Sequence, residues 1–309
     1  MYGNVITTEF VACLMRSDQR KSATSIAGRS GVYKCIMRPS TENTSVRSAA
    51  VAGMFYPDDP AELRDSIERY LAFASIDHSH PLPKALIVPH AGYMYSGAVA
   101  ASAYASIAAR RADVRRVVLL GPSHRVYLRG IAAPTVDAFR TPLGDIPVDR
   151  ESRDELLSTE EVLAADQPHA QEHSLEVQLP FLQFLLGEFE LLPLVAGQAA
   201  PAHTAAVLER VWGDEGTLVL ISSDLSHYHP YDVAQQIDRH TSELIVQRSP
   251  TLGGEQACGA VCINGLLHLA KSRDLPVREI HRMNSGDTAG DKRRVVGYGA
   301  FAVNGGALP

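Results

Sequence analysis

Residues 116–124 read RVVLLGPSH. Val117 to Leu120 form a short continuous apolar run, as expected of a strand buried on both faces of a sheet. The run ends in Gly121, Pro122 and Ser123 and delivers His124. The pattern recurs twice. KALIVPHAGY (84–93) carries an apolar run into His90, and TLVLISSDLSH (217–227) carries one through Ser222, Ser223 and Asp224 to His227. Strands of this kind belong to parallel sheets, which need crossover helices.

The stretches between them read as those helices. DDPAELRDSIERYLAFA (58–74) has helical spacing, with Asp58 or Asp59 to cap it and Pro60 near its first turn. SGAVAASAYASIAARR (96–111) is a small-residue helix with Ser96 as the candidate cap. SRDELLSTEEVLAA (152–165), VAQQIDRHTSELIVQ (233–247) and ACGAVCINGLLHLAKSR (257–273) are helical, and HSLEVQLPFLQFLL (173–186) is a helix that kinks or restarts at Pro180. FELLPLVAG (189–197) and RRVVGYGAFAV (293–303) are further strands, and FRTPLGDIPVD (139–149) reads as a hairpin. The expectation is an α/β fold: a largely parallel central sheet with helices on both faces, as one domain over residues 47–309.

Residues 1–46 differ. Six basic and three acidic residues and little apolar periodicity predict a disordered extension, or a mis-assigned start with Met37 as the natural one. The whole chain carries a net charge of -6, which argues against a nucleic-acid binder working through a basic surface. No apolar run reaches the ~18 residues a membrane-spanning helix needs. Four cysteines (Cys13, Cys35, Cys258, Cys262) in 309 residues make no disulfide framework, so the expected setting is a reducing cytoplasm.

In open α/β sheets ligands bind outside the carboxyl ends of the strands. His90, His124 and His227 each sit at such an end. One histidine there is as readily a hydrogen-bonded loop residue. Three in the same topological position point to a metal or catalytic crevice, if their strands are neighbours. Cys258 falls at a helix start, where the dipole would lower a thiol's pKa and favour a ligating thiolate. Cys262, one turn on, reads as a small core residue.

PHAGYMYSG (89–97), GPSH (121–124), FRTPLG (139–144), EHSLEVQLPFL (172–182), SSDLSHY (222–228), Cys258–Gly259, NSGD (284–287) and VVGYGAFA (295–302) together resemble the signature blocks of the Memo family. Its bacterial and archaeal members are called AmmeMemoRadiSam system protein B. The resemblance runs in order from about Arg47 to Val303. It implies a fold similar to the LigB-like subunit of class III extradiol dioxygenases, which hold non-haem Fe(II) on two histidines and a carboxylate. By matching motif, it implies His90, His124 and Cys258 as metal ligands, with Cys258 where the dioxygenases have glutamate. It implies His227, with Asp224 beside it, as the acid/base pair. Tyr95, Ser123, Glu172 and His173 are then expected to face substrate or orient the ligands. The implied cofactor is Fe(II) or copper, with zinc as a third choice, because a thiolate in place of a carboxylate favours softer ions. The implied role is redox, as a dioxygenase-like oxidoreductase acting on a small molecule or peptide. AMMECR-like and radical-SAM proteins of the same system are the expected protein partners.

Three rivals stand beside this. His169, Glu172 and His173 fit the H-x-x-E-H pattern of a zinc hydrolase. Ser222, Ser223, Asp224 and His227 are triad residue types, although no G-x-S-x-G elbow is present. A non-catalytic peptide- or anion-binding module could use the same crevice, with Arg125 assisting.

Overall fold

The computed structural model describes residues 44–75 and 80–304. The N-terminal extension lies almost wholly outside these residues. Its last members do not: Ser45 donates its backbone N–H to Asp137, and Val46 opens strand β1 (Val46–Arg47).

Four parallel strands form the centre of the main sheet, in the order β2 (Pro83–Val88), β9 (Thr217–Ser222), β3 (Arg116–Pro122) and β8 (Glu190–Ala196). The expected parallel character holds here and gives way at both margins. β12 (Val295–Asn304) pairs antiparallel with β2, and β10 (His227–His229) and β11 (Val277–Asn284) pair antiparallel with β12. On the other side, β4 (Ile131–Ala133) is antiparallel to β8 and parallel to β7 (Val162–Ala164). The predicted hairpin forms from β5 (Ala138–Thr141) and β6 (Gly144–Pro147), which build a small second sheet with β1.

The apolar runs serve two cores because alternate residues point to opposite faces. Leu86, Val88, Val117, Leu119, Leu218 and Leu220 face one cluster, with Leu63 and Ile67 of α1 (Pro60–Phe73) and Val99 of α2 (Tyr93–Ala105). Ala85, Ile87, Val118, Leu120, Val219 and Ile221 face the other, with Leu208 of α7 (Pro201–Arg210) and Ile263 and Leu266 of α9 (Ala260–Ser272). Helices therefore cover both faces, as expected. α8 (Tyr231–Val246) packs beside β11 and β12.

Two local expectations change. Asp59 caps α1, but Gly92 rather than Ser96 caps α2; the Ser96 hydroxyl instead donates to the Ala91 carbonyl from inside the helix. The segment 152–165 is not one helix: α3 (Arg150–Ser158) stops, Glu160 takes a left-handed φ of 59°, and β7 follows. The helix expected over 173–186 does restart at Pro180: α5 (His173–Glu176) ends and α6 (Leu179–Leu186) begins with Pro180 in its first turn, while the short α4 (Gln167–Ala170) precedes them. β11 was not foreseen, since three of the eight residues of VREIHRMN are charged and only its first and last residues are buried.

Two glycines bring elements onto the strand ends. A Cβ on Gly121 would stand 2.9 Å from the Leu175 and Ser174 side chains, so its absence lets α5 lie over the end of β3. A Cβ on Gly259 would stand 2.7 Å from Ser223 Cβ and 2.9 Å from the Ser222 carbonyl, so its absence lets α9 start against the end of β9.

Candidate metal centre

The strands β2, β9 and β3 are neighbours, so the residues just beyond their ends share one crevice. His90 follows β2, Ser222 to Asp224 end β9, and His124 follows β3. α5 contributes Glu172 and His173, and the start of α9 contributes Cys258.

Hydrogen bonds set the tautomer of two of these histidines. The Ser222 hydroxyl donates its single proton to the Ser174 carbonyl at 2.6 Å and accepts from Gln178 Nε2 at 2.8 Å. His90 Nδ1 lies 2.9 Å from the same oxygen, which can then only accept, so Nδ1 carries the proton. Nε2 of His90 is left with a bare lone pair, 3.2 Å from Cys258 Sγ. His124 is arranged alike: Nδ1 lies 2.8 Å from Glu172 Oε1, a carboxylate oxygen that only accepts, and Glu172 Oε2 accepts the His124 backbone N–H at 2.6 Å. Burial alone would raise the Glu172 pKa, but the bonds from His124 and Ser174 outweigh it and hold the carboxyl at about 2. Glu172 is therefore a charged orienter.

A ring nitrogen of His173 joins those of His90 and His124 in a set whose members all lie within 4.8 Å of one another. The His173 ring stacks on His124 at 4.7 Å and meets His90 edge-on at 5.3 Å. Its Nδ1 is buried 3.3 Å from Glu172 Oε1, outside hydrogen-bond geometry. Burial, and then the charge of His124, hold His173 at about 4, and burial keeps His90 well below the ordinary imidazole value. His90 and His173 are therefore neutral at neutral pH, the state that ligates metal.

Cys258 does not behave as its helix position predicts. Burial, followed by the Asp224 charge, pushes the thiol up to about 12. The thiol sits before the Gly259 cap, beside Ser223, and in the metal-free protein it keeps its proton.

Asp224 Oδ1 accepts the His90 backbone N–H at 2.7 Å, and burial raises its carboxyl to about 6, against which the charge of His227 works. His227, on the edge strand β10, lines two adjoining cavities. One, of about 510 Å³, holds His90, His124, Arg125, His173, Asp224 and Cys258 in its wall. The second, of about 420 Å³, adds Phe55, Tyr95, Arg294 and Tyr298. Tyr228 lines both, with an unusual left-handed φ of 63° and the Arg294 guanidinium 5.0 Å above its ring. Tyr95 thus faces the second cavity. Ser123 holds the turn carrying His124, through its hydroxyl on the Val126 carbonyl and its N–H on Ala196. A larger cavity of about 700 Å³ lies at the opposite, amino-terminal ends of β3 and β8, away from the histidines.

The structure does not bring His169 into this group. Glu172 takes an extended conformation between α4 and α5, so His169 and His173 share no helix face. His169 Nε2 meets the Ala132 carbonyl at 3.1 Å, within the fold. Ser222 and Ser223 are buried and engaged by Ser174, Gln178 and Gly259, which leaves no free hydroxyl for a hydrolytic triad. Glu176, three residues beyond His173, does not line the crevice. It is buried and ion-paired with Arg47, and it accepts from Tyr56, Ala50 and Val51. Arg47 also donates to the His169 and Glu172 carbonyls, at 3.0 and 2.7 Å. It thereby ties β1 to the segment that carries Glu172 and His173. The sequence signal was faint: one arginine at the edge of a basic tail.

The donors fit a transition metal. An ion with metal–nitrogen bonds of about 2.1 Å and a metal–sulfur bond of about 2.3 Å in tetrahedral array separates nitrogen from sulfur by roughly 3.5 Å. His90 Nε2 and Cys258 Sγ stand 3.2 Å apart, and both oriented histidines engage an acceptor through Nδ1, which leaves Nε2 as the atom that would ligate a metal.

Comparison with known proteins agrees with the sequence blocks. The chain is 36% identical over 284 residues to a MEMO1 family protein of Metallosphaera sedula, which spans 82% of this chain and 97% of that protein. It is 36% identical to one from Methanopyrus kandleri (84% and 99%) and 35% identical to one from Aquifex aeolicus (82% and 97%). A crystal structure of an uncharacterised protein from Escherichia coli K12 matches with a TM-score of 0.46 and 14% identity, over 72% of this chain and 99% of that one. The family described as Memo-like protein matches residues 47–302, and the chain belongs to that family.

Proposed function

We propose that the crevice binds an iron or copper ion through His90 and His124, with Cys258 or His173 completing the set, and that the protein is a metal-dependent oxidoreductase. The observation that carries this reading is the pair of Nδ1-committed imidazoles. Ser222 and Glu172 engage Nδ1 of His90 and His124, which leaves Nε2 of each ring to ligate in one crevice beside a third imidazole and a thiol. Outer partners of this kind are what metal-ligating histidines need. A bound iron or copper ion would supply one-electron chemistry and polarise a coordinated substrate atom.

The chain's own residues then do the following. Ser222 and Glu172 hold the ligand rings. Asp224, with a pKa of about 6, takes up or releases a proton near neutral pH beside His227. His227 reaches both cavities and is placed to pass a proton to or from a substrate in either. Tyr95, Tyr228 and Arg294 bound the second cavity, where the non-reacting part of a substrate would sit.

The test is anaerobic metal analysis of freshly purified protein. Iron or copper should be present or titratable and should be lost in His90→Ala and His124→Ala. Unchanged metal content in both variants removes the reading. His227→Gln should keep the metal and lose turnover.

A second reading has its own observation. Arg125 and Arg294 line the joined cavities, so the crevice suits an anionic ligand or peptide without any reaction. That reading requires ligand affinity to persist in metal-free protein.

A further inference from the structure

Residues 288–294 join the 3-10 turn Ser285–Asp287 to β12, and Gly290, Asp291 and Arg294 among them form part of the wall of the second cavity. The segment is exposed apart from Gly290, which is half-buried. A Cβ on Gly290 would stand 2.6 Å from the Ser285 carbonyl, so glycine lets the chain fold back there and donate its N–H to that oxygen at 2.7 Å. Beyond the turn the side chains divide. Arg293 pairs with Asp291, while Lys292 and Arg294 each lie over a tyrosine. Lys292 Nζ is 4.5 Å from the centre of the Tyr231 ring, and the Arg294 guanidinium is 5.0 Å from that of Tyr228. The Lys292 carbonyl also accepts the Tyr231 N–H at 3.0 Å. Tyr228 lies on β10 and Tyr231 opens α8, so the segment is fastened to the strand that carries His227 and to the helix after it. Tyr228 is exposed, yet it keeps its left-handed backbone. Such strain persists where the surroundings impose it, and it gathers at clamps and switches.

We infer that residues 288–294 are a lid on the second cavity, latched by Lys292 on Tyr231 and by Arg294 on Tyr228. The fastenings are individually weak. An exposed cation–π contact favours the closed form by a factor of about 2 to 5. The Tyr231 N–H, in the first turn of α8, needs no partner within its helix and can turn to water when the segment lifts. β12, into which the lid leads, is buried and pairs with both β11 and β2. The lid therefore opens while the sheet stays closed. Shut, it walls Asp224 and His227 from solvent on this side; open, it admits a ligand to the second cavity. The inference is independent of the metal, since no fastening involves His90, His124 or Cys258.

The test uses the full chain. Trypsin cleaves after Lys292, Arg293 and Arg294, so limited digestion at these sites reads the open fraction of the lid. Tyr228→Leu and Tyr231→Leu should each speed that cleavage about 2- to 5-fold, and the double variant about 5- to 30-fold. Tyr228→Phe keeps the ring and should be cleaved at the wild-type rate. A wild-type rate in the double variant overturns the inference, as does Tyr228→Phe cut as fast as Tyr228→Leu. A second measurement needs no variant, so a destabilised substitution leaves the inference testable. In native-state hydrogen exchange, the Tyr231 and Gly290 amides should exchange through an opening that urea scarcely affects, while the β12 amides wait for one that urea strongly promotes. Exchange of Tyr231 and Gly290 together with β12 overturns the lid.

Discussion

Glu172 grips His124 at two points, taking the backbone N–H on Oε2 at 2.6 Å and facing Nδ1 with Oε1 at 2.8 Å. A carboxylate held in this way fixes both the rotation and the protonation of a ring. Glu172→Gln keeps the shape and one acceptor but removes the charge and puts a donor against the ring. Metal affinity should fall about 10- to 100-fold by competition titration, with His124 still present. Wild-type affinity would show that the ring is oriented by something else.

Ser222 sets His90 by the same logic with a neutral group. Ser222→Ala would leave His90 Nδ1–H and the Ser174 carbonyl without their partner in a buried site, at a cost of about 1–3 kcal/mol. Denaturant unfolding should show that loss. Nitrogen NMR of the imidazole should show the Nε2-protonated tautomer appearing in the variant and absent from the wild type.

Arg47 joins a buried carboxylate to two backbone carbonyls. Arg47→Met fills much of the space but strands the Glu176 charge, and removing one partner of a buried pair costs about 3–5 kcal/mol. The urea midpoint should drop accordingly. Hydrogen exchange should rise first at residues 169–176, because Arg47 holds that segment. A shift confined to β1 would oppose this account.

Acid should destabilise the fold through its buried histidines. Burial holds His169 at about 4, despite the Ala132 carbonyl, against 6.5 when unfolded. Between those values the unfolded chain binds a proton that the folded chain does not. Stability therefore rises with pH across this window and is lost as pH falls towards 4. His173 and His90 act in the same direction. Asp224 opposes them, since its folded pKa of about 6 exceeds the unfolded 3.8 and the folded chain is the one that holds the proton. His169→Gln keeps a donor for Ala132 and should flatten the stability slope between about pH 4.5 and 6 by about 1.4 kcal/mol per pH unit. An unchanged slope would mean that His169 titrates alike in both states.

What was legible followed from periodicity. The runs at 84–88, 116–121 and 217–222 read as two-sided strands, and ligands bind beyond the carboxyl ends of such strands. The sequence could not supply strand order. That β9 lies between β2 and β3 is a fact of topology, and it alone makes His90 and His124 neighbours across Ser222. β11 escaped because an edge strand facing water need not look apolar. Glu172 is a good helix former in isolation, so its extended conformation between α4 and α5 was not legible. Its carboxylate serves His124 and the Ser174 N–H instead, and that conformation removed His169 from the site. The thiol of Cys258 was misjudged because a helix start favours a thiolate, while burial, invisible in sequence, opposes it more strongly.

His90, His124 and Asp224 ride on strands with a hydrogen-bonded neighbour on each side, whereas His227 rides on the short β10, which meets only β12 and slips register between His227 and His229. The crevice therefore has a stiff wall and a compliant one. Sequence change or breathing at the compliant wall, where Tyr228 already sits in a rare conformation, can reshape what enters without disturbing what the stiff wall holds. Within one protein family, such a division lets reactive centres stay alike while the molecules they act on diverge.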